Sequence, residues 1–196
     1  FGVDLAQKLK VPLIPVNHIE AHIIANFINH KPLFPAICLV VSGGHTSLFY
    51  IKNFSDFQLI GQTNDDACGE AFDKVAKILG LGYPGGPLIE KLAKYGNPHK
   101  IKFACSQTKD ELDFSFSGIK TAVLYYLKGK KISTRLKYDL AACFQETVIN
   151  TLIKKSLLAC KNKNIKQLLI GGGVVANSRL RNKFLASAKE SGIRCF

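Results

Sequence analysis

Methionine and tryptophan are absent from these 196 residues, and acidic residues are scarce beside basic ones, 14 against 27. Without a methionine there is no initiator, so the chain is expected to begin inside a longer protein and to break off within it at Cys195-Phe196. The start, Phe1-Gly2-Val3-Asp4, lacks the basic residues and apolar core of a secretion signal. No apolar run approaches the roughly 20 residues a membrane-spanning helix needs, so no membrane partner is expected. Six cysteines are scattered, at 38, 68, 105, 143, 160 and 195, and none forms a C-x-x-C pair. That argues against a zinc finger or redox motif and points to reduced thiols in a cytoplasmic protein. The shortage of acid leaves a formal net charge of +13, which favours a polyanionic partner, a nucleic acid first. The 47% hydrophobic content is that of a soluble globular chain with one large domain or two small ones.

Asn17-His18-Ile19-Glu20-Ala21-His22 opens an apolar run that reaches Ile28. On a helix, residues four apart share one face with Cβ atoms about 6 Å apart. His18 and His22 are therefore spaced to grip one metal ion, and imidazole is the commonest metal ligand. The order differs from H-E-x-x-H, where Glu follows the first His and serves as general base. Glu20 lies roughly 200° round the helix from His18 at 3.6 residues per turn, out of reach of a metal held by both rings. The bland alternative is two ordinary helical histidines.

Along the chain, residues 3–10 read as a helix ended by Pro12, and 13–16 as a short strand. Asn17 caps a histidine-bearing helix to about Asn29, and Pro32 and Pro35 mark a loop. The spacing predicts a buried strand at 36–41, a Gly-Gly hairpin, and strands at 47–52 and 57–63, forming an antiparallel meander. Asn64-Asp65-Asp66 reads as a turn and cap for a helix at 67–79. A glycine-rich loop at 80–86 leads into a second helix ending near Tyr95, with Pro87 in its first turn. Segment 102–105 could pair with 113–116 as strands. Helices follow at 118–127 and, after a basic linker, 134–160. A buried strand at 167–170, a Gly171-Gly172-Gly173 turn, and a helix capped by Asn177-Ser178 complete the chain.

Three stretches carry chemistry. In Ser42-Gly43-Gly44-His45-Thr46, glycines let backbone N–H groups approach an anion, and Ser42 and Thr46 offer hydroxyls. The alternative is a plain tight turn. Gly171-Gly172-Gly173-Val174-Val175-Ala176-Asn177 joins a strand to a helix, where phosphates dock against helix N-termini, or is merely a crowded turn. Asp66, Glu70 and Asp73, at i, i+4 and i+7, would share one helical face that is solvated, binds ribose hydroxyls, or holds a cation.

Six segments occur in order: His18-Ile19-Glu20-Ala21-His22; Ser42 to Thr46; Gly69-Glu70-Ala71-Phe72-Asp73-Lys74; Tyr83-Pro84-Gly85-Gly86-Pro87; Phe116-Ser117-Gly118-Ile119-Lys120-Thr121; and Gly171-Gly172-Gly173-Val174. Together they closely resemble the tRNA threonylcarbamoyladenosine transferase family, TsaD, formerly called O-sialoglycoprotein endopeptidase or glycoprotease. The resemblance implies an α/β actin-like ATPase fold, ribonuclease H-like, with two lobes around a nucleotide cleft. It implies that residues 1–196 are a central fragment spanning parts of both lobes, with the family's N-terminal and C-terminal portions outside it.

By motif, the resemblance makes His18 and His22 ligands of one divalent metal, iron(II) in the usual description and zinc as the alternative. The third ligand, an aspartate, is expected beyond Phe196. Val40, Val41, Ser42, Gly43, Gly44, Asp73, Gly86, Glu90 and Asn177 match substrate-binding positions. The implied reaction moves threonylcarbamoyl from threonylcarbamoyl-AMP to the exocyclic amine of adenosine next to the anticodon, in tRNAs reading codons that begin with A. The implied ligands are that adenylate or an adenine nucleotide. The implied partners are tRNA, a smaller paralogous subunit and a P-loop ATPase subunit. Lys128, Lys130, Lys131, Arg135 and Lys137, with Lys161, Lys163 and Lys166, are candidate tRNA contacts. Two other classes compete: a metal-dependent glycoprotease, which needs a base at the metal, and a non-catalytic actin-like nucleotide-binding module, which should lack the paired histidines. The fragment alone is expected to be inactive.

Overall fold

The computed structural model describes residues 1–28, 31 and 33–196. Ala36-Ile-Cys-Leu-Val-Val41 is an unbroken apolar run rich in β-branched side chains, and it forms the central strand β1 (Ala36–Val41), every residue of it buried. β2 (Thr46–Asn53) and β3 (Asp56–Gln62) continue from it as the expected antiparallel meander. On the other side β4 (Gln167–Gly171) pairs parallel to β1, and β5 (Arg194–Cys195) pairs parallel to β4, giving the order β3-β2-β1-β4-β5.

The alternation of a strand divides the core in two. Ile37, Leu39 and Val41 point into the larger cluster, with Phe72, Phe114, Phe116, Phe144 and Phe184. That layer is built by α3 (Cys68–Ile78), α4 (Gly85–Ala93), α5 (Ser117–Leu127), α6 (Thr134–Lys163) and α7 (Ser178–Glu190). Ala36, Cys38 and Val40 point the other way, onto Ile23 of α2 (His18–Ile24). The long α6 starts where the Ser133 side chain accepts from the Leu136 N–H and stops at Asn164, whose φ of 52° is left-handed.

The N-terminal segment departs from expectation. α1 (Gly2–Leu9) forms, but it ends at left-handed Lys10, before Pro12. Residues 13–16 are not a strand, and Leu13, Ile14 and Val16 are exposed. Pro12 and Pro15 remove two ladder donors, and among the described residues no sheet edge lies against this segment. α2 gives way at Ala25 to a 3-10 turn, Ala25–Phe27, because Asn26 Nδ2 turns back to the carbonyls of His22 and Ile23; the expected end at Asn29, and Pro32, lie outside the described residues. Segments 102–105 and 113–116 do not pair with each other. Phe114 instead forms a single parallel bridge to Thr63, its N–H donating to Gln62 O at 2.8 Å. The meander's open end takes that backbone first. No helix among the described residues is long and apolar enough to cross a membrane.

Candidate functional site

Asn17 Oδ1 accepts from the N–H groups of Ile19 and Glu20, which fixes the first turn of α2 and points its two histidines together. Their Nε2 atoms are 3.0 Å apart, and His45 approaches from the β1–β2 hairpin with its ring 5.9 Å from that of His18, edge to face. His18 and His45 are exposed and His22 is half-buried, so no imidazole is locked into the apolar core. Nitrogens at 2.0–2.1 Å from a tetrahedral or octahedral metal stand roughly 2.9–3.4 Å apart. The His18–His22 spacing of 3.0 Å fits a metal bridging the pair. Among the described residues, no three His, Cys, Asp or Glu side chains are arranged to hold one ion.

Two further chain turns lie beside this pair. At the first, Ser42 N–H donates to His45 O, and the Ser42 hydroxyl accepts from His45 N–H. Thr46 does not offer a hydroxyl to a ligand: it is buried, and its Oγ1 accepts from Cys68 N–H at 2.8 Å, capping α3. Gly43 and Gly44 remain exposed. At the second, Gly172 holds φ 98°, and a Cβ there would fall 2.3 Å from Val41 O, so only glycine lets the two turns meet.

Between them opens a cleft of about 460 Å³, a size suited to a small ligand. Gly43, Asp73 and Gly86, from three of the six segments, and Glu90 and Asn177 outside them all line it, with Phe72, Tyr83 and Val174 as apolar wall. Asp73 Oδ1 accepts from Gly85 N–H at 2.7 Å, tying α3 to the start of α4. Glu90 Oε1 accepts from Ser178 N–H at 2.9 Å and from its hydroxyl. Asn177 Oδ1 caps α7 at Leu180 N–H, and its Nδ2 donates to buried Gln145 at 2.7 Å. The side chains of Glu90 and Asn177 thus hold the cleft's shape. Val40 and Val41 are wholly buried, so they reach a ligand only through backbone. Tyr83, 83% exposed, stands at the rim. The sequence of Tyr83-Pro84-Gly85-Gly86-Pro87 does not by itself show that the Tyr83 ring reaches the cleft. Gln145 left no sequence signal, because its partner is 32 residues away.

The acidic residues sort differently from the expected single face. α3 begins at Cys68, with Ala67 as its cap residue, so Asp66 lies before the helix. Asp66 pairs with Lys74 at 2.6 Å and with Lys120 at 3.3 Å, and Glu70 pairs with Lys74 at 2.8 Å. Hydrogen bonds to both carboxylates raise Lys74 above the usual lysine range. These two acids are neutralised within the fold, and only Asp73 faces the cleft. Asp65 does not cap α3. It accepts from the Ser115 and Ser117 hydroxyls and from the N–H groups of Phe116 and Ser117, capping α5. Burial pushes its carboxyl up, but these bonds outweigh it, and the net shift is below the usual range.

The sequence pattern of the family described as “tRNA N6-adenosine threonylcarbamoyltransferase” (TsaD) matches residues 1–196. Proteins of that name from Clostridium kluyveri, Clostridium botulinum (strain 657) and Clostridium beijerinckii are 50%, 51% and 52% identical, each over 98% of this chain and 58% of the relative. The chain therefore spans under two thirds of the length of these relatives. Among solved structures, full-length HypF in its phosphate- and nucleotide-bound form superposes with TM-score 0.75 at 17% identity, over 98% of this chain and 41% of that one. HypF of T. kodakarensis gives 0.72 at 14% identity, over 99% and 35%. At those identities HypF speaks for the fold alone, and it fits the expected α/β class. With the family pattern matched from end to end and half the residues identical to named relatives, the chain belongs to the tRNA N6-adenosine threonylcarbamoyltransferase family.

Proposed function

We propose that this chain forms the central, ligand-binding part of an enzyme that transfers a threonylcarbamoyl group from threonylcarbamoyl-AMP to the exocyclic amine of an adenosine next to the tRNA anticodon, releasing AMP. The observation that carries the reading is the single cleft lined by Gly43, Asp73, Gly86, Glu90 and Asn177, with the His18–His22 pair beside its hairpin. The N–H groups of Gly43 and Gly173 receive the phosphate, Asp73 accepts from ribose hydroxyls, and the apolar wall of Phe72 and Val174 covers the base. His18 and His22 would hold one divalent ion, iron(II) or zinc. Such an ion, when bound, supplies Lewis-acid polarisation of the carbamoyl carbonyl. Residues 1–196 then correspond to a central portion of a two-lobed actin-like fold, working in the cytoplasm with tRNA, a smaller paralogous subunit and a P-loop ATPase subunit. A metalloprotease reading needs a base at the metal, and Glu20 lies on the far side of α2 from His18.

The test is calorimetric titration of the chain with AMP and with threonylcarbamoyl-AMP. Asp73→Ala is expected to weaken binding about tenfold or more, roughly 1.4 kcal/mol, with an unchanged circular dichroism spectrum. Affinity unchanged in that variant would move the site out of this cleft.

A further inference from the structure

Lys100, Ile101, Lys102 and Phe103 run along a shallow concavity closed by Ala122, Tyr125 and Tyr126 of α5. It shares no lining residue with the ligand cleft. Tyr125 is 68% exposed, and among the described residues it touches no other ring. Tyr126 beside it is fixed: Lys130 Nζ sits 3.3 Å over its ring, and Phe103 meets its edge at 6.2 Å. Lys128, Lys130 and Lys131 extend the basic character past the end of α5, and all are exposed. None of Lys100, Lys102, Lys128, Lys130 or Lys131 is ion-paired with a carboxylate among the described residues. This contrasts with Lys74, Lys120 and Lys183, which all are. No acidic residue lines the concavity.

An exposed aromatic face set among unpaired cations has a definite chemical match. Every nucleobase has a π-face that stacks on tyrosine, and every nucleotide brings a phosphate for a neighbouring lysine. Bases in a duplex are already stacked, so the partner must be an unpaired loop or end. We propose that residues 100–103 and the C-terminal half of α5 form an RNA-docking surface. Tyr125 stacks one unpaired base there, and Lys100, Lys102, Lys128 and Lys130 neutralise the flanking phosphates. The proposal rests on the tRNA partner of the preceding reading and adds where, and through which part of the RNA, contact is made. The Tyr126–Lys130 stack keeps the rim rigid, so the surface is formed before RNA arrives.

The experiment is fluorescence anisotropy with a labelled RNA stem-loop, a blunt RNA duplex of equal length, and anionic phosphatidylserine vesicles. The proteins are wild type, Tyr125→Phe, Tyr125→Ala and the double variant Lys100→Gln/Lys102→Gln. Tyr125→Ala is expected to weaken stem-loop binding roughly 5- to 100-fold and to leave the weaker duplex binding unchanged, while Tyr125→Phe stays near wild type. The lysine double variant should lower the slope of log Kd against log salt by about 1.5 to 2. AMP titration should be the same in all four proteins. Undiminished stem-loop binding in Tyr125→Ala overturns the stacking site. So does equal loss for loop and duplex, and so does loss confined to vesicles, which would make this a membrane-facing patch. If wild type takes AMP but no RNA at all, the tRNA partner itself falls.

Discussion

Gly69 and Gly44 both lack a side chain, and the surroundings give that lack different weight. A Cβ at Gly69 would meet Ser42 O at 2.7 Å and Gly43 Cα at 2.8 Å, both backbone atoms that have no rotamer to change. At Gly44 nothing lies within 4 Å. Gly69→Ala is therefore expected to drive the hairpin off the start of α3, costing about 1–3 kcal/mol in stability and weakening AMP binding. Gly44→Ala should stay within about 0.5 kcal/mol in stability. Urea denaturation of both variants, followed by calorimetry, checks this, and equal losses would refute it. Sequence showed that glycines matter in both segments but not which one is crowded, because the crowding atoms come from another segment. Asp65 teaches the same lesson. Its neighbours in sequence suggested a cap for α3, yet its four donors lie 50 to 52 residues away. Gly43, Asp73, Gly86, Glu90 and Asn177 are named by the family resemblance that the short, distinctive segments carry, although Glu90 and Asn177 lie outside those segments. The division of labour among them, with Glu90 and Asn177 shaping the cleft, needed three-dimensional contacts.

Among the elements, periodicity gave β1 its bounds and α6 to within three residues, since both are long runs with a clear burial pattern. Residues 13–16 form no strand, and 102–105 does not pair with 113–116, because strand formation depends on an available neighbour, which composition does not reveal. The α6–α7 packing carries a pH signature. Glu146 on α6 is buried and receives Arg179 and Lys183 from α7. Burial pushes its carboxyl up, but the two cations and their hydrogen bonds outweigh that and hold it below its ordinary value of 4.5. With the folded-state pKa the lower one, the unfolded chain binds more protons between the two values. The stabilisation is therefore complete above the unfolded value and is lost as pH falls through the folded one. Asp65 shifts the same way. Glu146→Gln should lose about 1–3 kcal/mol at pH 7 and show a smaller further loss on going to pH 3.5 than wild type. Urea midpoints at the two pH values decide it, and parallel losses would contradict the assignment.

At the scale of the whole molecule, the fold brings the His18–His22 pair beside a cleft of about 460 Å³. The chain spans 58% of the length of its curated relatives. α1 has no buried residue, and its last residue Leu9 is exposed, as are Leu13, Ile14 and Val16 after it. On the function proposed above, His18 and His22 would supply two ligands, whereas open catalytic sites generally have three protein ligands and one exchangeable position. The 196-residue chain is thus expected to bind AMP, to bind zinc only weakly and in a His22-dependent manner, and to transfer no threonylcarbamoyl to tRNA. The direct comparison sets this chain against one of the full-length clostridial relatives. Each is supplied with the same partner subunits, threonylcarbamoyl-AMP, iron(II) or zinc, and unmodified tRNA. Zinc affinity is read by calorimetry on wild type and His22→Ala, independently of turnover. Tight zinc binding by this chain, with modified adenosine formed at a rate near the relative's, would show that the metal site closes with residues present here, and His45, already 5.9 Å from His18, would be the first side chain to test.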